Sequence, residues 1–101
     1  AVISVGAIEG GSFRSANVMP SEIKLAGTAR SLSSSVRDLI ERRMTELAHD
    51  LAKAFGCTAE VEFTRGGIPL INYEEETKRA IKAAENVVGT ENVVKHREPM
   101  M

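Results

Sequence analysis

The spacing of apolar and polar residues divides the chain into short alternating runs and two long periodic ones. Ala1 to Glu9, AVISVGAIE, is apolar on both faces and rich in β-branched residues, which predicts a covered or interior strand. Gly10 and Gly11 end it, and a loop of Gly, Ser and an exposed-looking Phe13 leads to a turn at Asn17–Pro20, where the fixed φ and missing N–H of proline favour a rigid bend. From Glu22 the side chains alternate. Ile23, Leu25 and Ala29 share one face, and Glu22, Lys24, Thr28 and Arg30 the other, so a second strand pairs antiparallel with the first across a wide connection.

Ser33 to Phe55 carries the helical signal. Val36, Leu39, Ile40, Met44, Leu47, Ala48, Leu51, Ala52 and Phe55 recur every three or four residues, opposite Arg37, Asp38, Glu41, Arg42, Glu46, Asp50 and Lys53. Ser33 suits the N-cap and Gly56 the left-handed residue past the end. Burying the larger stripe residues on a sheet contributes roughly 1.5–3 kcal/mol each before the entropy of ordering them is subtracted. Cys57 to Arg65 alternates again, with Ala59, Val61 and Phe63 against Thr58, Glu60, Glu62 and Thr64, and predicts a third strand that Gly66, Gly67 and Pro69 break. A second helix follows from Asn72 to Gly89, with Asn72 and Glu75 as a capping box and Glu74–Glu76 at its positive end. Val93 and Val94 offer a short strand in the tail. The expected class is α+β, an antiparallel sheet with helices packed on it.

Composition narrows the function without naming it. The 101 residues, 43% hydrophobic, build one domain with a modest core. A formal net charge of −1 gives no basic field for nucleic acid or an anionic membrane, and no apolar run approaches the roughly 20 residues that span a bilayer. A lone cysteine, Cys57, makes no internal disulfide and is expected to be a small buried residue in a reducing, cytoplasmic setting. The start at Ala1 shows no signal-peptide pattern, and both ends are expected to be cuts through a longer protein. His49 falls on the polar side of the helix and His96 has no nearby Cys or His, so neither has a second metal donor at the usual spacing. The glycines lack the following helix and the Lys-Ser or Lys-Thr pair of a phosphate loop. No catalytic constellation is complete within the chain.

Three polar residues stand out. Arg30 projects from the open face of a strand, Asn17 sits in the loop entering that strand, and Arg65 lies at the tip of the third; donors held this rigidly suit a carboxylate or an amide oxygen. The two arginines also have a structural reading. Arg30 faces a cross-strand ion pair with Glu60 or Glu62, and Arg65 a solvated strand end.

The run VGAIEGGSFRSANVMPSEIKLAGTARS, followed by SSSVRDLIERRMTELAHDLAKAFGCTAEVEFTRGGIPLIN, resembles the lid or dimerisation domain of the M20 metallopeptidase and amidohydrolase family, in its hippurate hydrolase and N-acyl amino acid amidohydrolase subgroup. An Asn-Val-x-Pro turn, a Gly-Thr-x-Arg strand and a strand ending Thr-Arg-Gly before a proline and an asparagine carry the likeness, which runs through essentially the whole chain. The resemblance implies a ferredoxin-like βαββαβ lid lacking its first strand and helix, and with them the lid histidine that assists the tetrahedral intermediate. Residues 1–71 correspond to the partial lid and 72–101 to the return into a catalytic domain. It implies a parent enzyme that hydrolyses N-acyl amino acids with two divalent metal ions (zinc, manganese, cobalt or nickel) whose ligands lie outside this chain, and that pairs as a homodimer through the lid. By position, Asn17 holds substrate near the scissile amide, Arg30 binds the substrate carboxylate, and Arg65 does so in some peptidase relatives. The fragment alone is expected to be inactive. The competing class is a free-standing ferredoxin-like module that binds small molecules or assembles without catalysis; an RNA-binding domain is opposed by the charge and by the absence of a stacking aromatic pair.

Overall fold

The computed structural model describes residues 1–100, which fall into two compact units, Ala1–Gly67 and Ile68–Met100. The first holds an antiparallel pair, β1 (Val2–Glu9) with β2 (Lys24–Arg30), and then helix α1 (Ser34–Ala54); the second holds helix α2 (Glu74–Val88) and a 3-10 turn at Thr90–Asn92. The protein is a small α+β structure.

The β1–β2 register explains why β1 reads as apolar on both faces. Val2 lies opposite Arg30, Ile3 opposite Ala29, Ser4 opposite Thr28 and Val5 opposite Gly27, but the next rung pairs Ala7 with Ala26, leaving Gly6 as an extra residue. That bulge shifts the alternation by one. Ile3, Val5 and Ile8 thereby share a face with Leu25 and Ala29, while Val2, Ser4, Ala7 and Glu9 share the other with Lys24, Ala26, Thr28 and Arg30. The split of β2 follows the expected one. The cover does not: β1 is exposed along its whole length, because its pairing with β2 is the sole ladder among the described residues.

Helix α1 has the caps its sequence predicts. The Ser33 hydroxyl accepts from the Val36 N–H at 3.4 Å, and Gly56 takes φ 70° past the end, where a side chain would be strained. The apolar stripe, however, divides lengthwise. Ile40 is buried and Met44, Ala48 and Ala52, each four residues further on, are half-buried, whereas Leu39, Leu47, Leu51 and Phe55 stand open. A two-stranded sheet is too narrow to cover the whole stripe, and of the two strands α1 packs beside β2 and not β1.

Four expectations fail for identifiable reasons. Cys57–Arg65 is not a strand: Ala59, Val61 and Phe63 are half-buried and their neighbours exposed, as the alternation requires, but no strand pairs with the segment and it has no ladder. Cys57 is exposed rather than buried, its thiol near the Phe55 carbonyl at 3.6 Å. Helix α2 begins two residues after Asn72, with Tyr73 at the cap and no side-chain cap bond; the Thr77 hydroxyl instead donates back to the Tyr73 carbonyl at 2.7 Å. Val93 and Val94 likewise form no strand, the chain there closing a 3-10 turn after Gly89 at φ 88°.

Candidate functional site

Arg30 is fixed from both sides. On its N-terminal side the ladder runs to the last rung, Val2 opposite Arg30, and two residues earlier on the same face the Ser4 and Thr28 hydroxyls are 3.2 Å apart. On its C-terminal side the chain turns at once into the α1 cap, where the Ser31 hydroxyl donates to the Ser33 carbonyl at 3.1 Å. The guanidinium is exposed and makes no ion pair or hydrogen bond among the described residues, so the expected partners Glu60 and Glu62 do not take it. A rigid backbone carrying an unengaged planar cation is suited to bidentate binding of a carboxylate.

Asn17 sits in a compact loop. The Ser12 hydroxyl accepts from the Arg14 N–H at 3.2 Å, the Val18 N–H donates to the Ser15 carbonyl at 3.0 Å, and Asn17 lies inside the turn so closed. Gly11, at φ 72°, lets the loop double back toward the Pro20 ring. This loop joins the Glu9–Lys24 end of the hairpin, and Arg30 lies at the other end of β2, about 20 Å away along the strand at roughly 3.3 Å per residue. No hydrogen bond joins the two residues. The hairpin therefore anchors them at opposite ends.

Arg65 is half-exposed but not free. Its Nε and one terminal nitrogen donate to the same Glu41 oxygen at 2.9 and 2.6 Å, and the other terminal nitrogen lies 2.8 Å from Asp38. Hydrogen bonding to Glu41 and its charge, then the charge of Asp38, raise its pKa above the ordinary arginine value. The surrounding shallow groove also contains Arg42, Thr45 and Glu46, which sets three carboxylates against two guanidiniums. A substrate carboxylate would have to displace two acids already in place. Sequence spacing could not reveal this pairing, since it joins residues 24 positions apart through α1.

Among the described residues, no three His, Cys, Asp or Glu side chains are grouped so as to hold a metal ion, and no helix is long and apolar enough to cross a membrane.

Comparison with known proteins places these elements. The chain is 34% identical over 86 residues to an N-acetyldiaminopimelate deacetylase of Limosilactobacillus fermentum, covering 84% of this chain and 22% of the relative. It is 35% identical over 77 residues to an N-acetyl-L-cysteine deacetylase of Bacillus subtilis, covering 76% and 18%, and 32% identical over 63 residues to an N-acyl-L-amino acid amidohydrolase of Geobacillus stearothermophilus, covering 62% and 17%. No family model and no solved structure matches. The chain belongs to the M20-type family of amidohydrolases and deacetylases that these relatives represent. That family hydrolyses amide bonds, and the chain spans about a fifth of the length of the curated relatives it matches.

Proposed function

We propose that this chain is the lid and dimerisation part of a metal-dependent amidohydrolase that cleaves the amide bond of N-acyl amino acids. Its own contribution is substrate binding and subunit pairing. The observation that carries the reading is Arg30: a guanidinium without a partner, held between the end of a ladder and a helix cap. It grips the amino acid's carboxylate; the Asn17 loop leaves the other end of the hairpin, so its amide reaches the scissile amide of the same small molecule only by folding back along β2. Arg65 joins them only by leaving Asp38 and Glu41, so it is the weakest of the three assignments.

The metal pair and the general base belong to the rest of the longer protein, as does the body to which the Ile68–Met100 unit returns; the lid is of the ferredoxin-like type, short of its first strand and helix. Support for pairing comes from β1, whose outer edge has no neighbour and whose side chains are open. A cytoplasmic location completes the proposal.

The test is Arg30→Ala in the full-length enzyme, assayed on an N-acetyl amino acid and on its carboxamide. Loss of the charged contact lowers kcat/KM for the carboxylate substrate at least about tenfold, the equivalent of about 1.4 kcal/mol, and leaves the carboxamide nearly unaffected. Unchanged kinetics on the carboxylate would end the assignment.

A further inference from the structure

Gly27 is the tightest point in the hairpin. A Cβ placed on it would lie 2.2 Å from the Ser4 carbonyl oxygen, 3.1 Å from the Val5 Cα and 3.2 Å from the Ser4 carbonyl carbon. Those are backbone atoms, which cannot rotate aside as a side-chain end can. The position has no positive φ, so glycine is required here by space and not by conformation. Gly6, the bulged residue across the ladder, is the reverse case, with nothing within 4 Å of where its Cβ would sit.

The consequence runs along β2 toward Arg30. Past Gly27 the ladder has only the Ser4–Thr28, Ile3–Ala29 and Val2–Arg30 rungs, and these hold the backbone that aims the guanidinium. Arg30 makes no side-chain contact that would orient it independently. A side chain at 27 would push the Ser4–Val5 backbone off β2 at the point where those rungs begin, and the strand end would lose its rail.

We infer that Gly27 is a positioning residue for carboxylate recognition: the side chain it lacks lets the β1 backbone close onto β2 and fixes the direction of Arg30. The inference rests on the carboxylate-binding reading of Arg30 given above. It differs from a purely structural role in what it predicts. Loss of stability would weaken all substrates together, whereas loss of Arg30 alignment weakens those bearing the carboxylate.

The experiment compares Gly27→Ala, Gly6→Ala and Arg30→Ala in the full-length enzyme, reading the ratio of kcat/KM for an N-acetyl amino acid to that for its carboxamide. Arg30→Ala is expected to collapse the ratio, Gly27→Ala to lower it at least about tenfold, and Gly6→Ala, which adds the same methyl in open space, to leave it as in the wild type. If Gly27→Ala keeps the wild-type ratio while Arg30→Ala loses it, the inference is overturned and the role of Arg30 stands. If Arg30→Ala keeps the ratio, the carboxylate reading falls and the inference with it. Should Gly27→Ala not fold, Thr28→Val removes the Ser4–Thr28 hydroxyl contact without adding bulk to the ladder, and the ratio is expected to fall about two- to fivefold, the usual worth of one such bond. An unchanged ratio in that variant also overturns the inference.

Discussion

Ile40 is the single buried residue among the described residues, 8% exposed, and truncating it tests where the first unit keeps its core. Complete burial of an isoleucine side chain is worth about 1.5–3 kcal/mol, and Ile→Ala changes in packed cores cost about 2–5 kcal/mol once the cavity is included. The neighbours along the same line, Met44 and Ala48, are only half-buried, so the site can relax or admit water, which puts Ile40→Ala near the low end, at about 2 kcal/mol. Leu47, on the same helix but 49% exposed, has about half its side chain left to lose, and Leu47→Ala is expected to cost about 1 kcal/mol. Urea titration followed by far-UV circular dichroism separates them. With a slope near 2 kcal/mol per molar, the Ile40 variant's midpoint falls by about 1 M and the Leu47 variant's by about half that. Equal shifts, or a larger one for Leu47, would show that α1 is not held along the Ile40 line.

Two ionic contacts give further expectations. Removing the Arg65 guanidinium with Arg65→Ala frees the 58–64 segment from α1, raising its amide hydrogen exchange; Arg65→Glu with Glu41→Arg restores protection, and added salt weakens the native tether because all three side chains are substantially solvated. Absence of rescue in the double variant would count against the pairing. Lys78 contacts Glu74 at 2.8 Å and Glu75 at 3.1 Å, and the hydrogen bonds it donates to Glu74 and then Glu75 raise its pKa above 10.5. A base whose folded pKa is raised contributes fully below its unfolded value and loses that contribution as pH rises through the folded one. The helicity of α2 is therefore expected to fall more on passing upward from pH 10.5 in the wild type than in Lys78→Gln, as read by circular dichroism.

Local chemistry was legible wherever a residue's neighbours in sequence are also its neighbours in space. The Ser33 cap, the glycine after α1 and the two faces of β2 all come from contacts a few residues apart, and the chain's motifs led to its family. What could not be read depends on partners distant in sequence or absent. Cys57–Arg65 carries a strand's alternation, but alternation describes one chain and a ladder needs two. The breadth of the α1 stripe indicated a surface to be covered, and the sheet beside it covers half. Among the site residues, the open position of Arg30 followed from parity along β2, whereas the capture of Arg65 by Asp38 and Glu41 depends on how an unpaired segment lies across a helix. The close backbone approach at Gly27 was hidden for a similar reason: glycine within a strand is ambiguous until the opposing carbonyl is located.

The link between β2 and α1 is only Ser31–Ser33, and a serine hydroxyl bond already draws it tight. So short a coupling stores no slack. Any tilt or unwinding at the front of the helix is delivered to the strand tip, and the place where Arg30 leaves the ladder becomes a gauge of how firmly that first helical turn is wound.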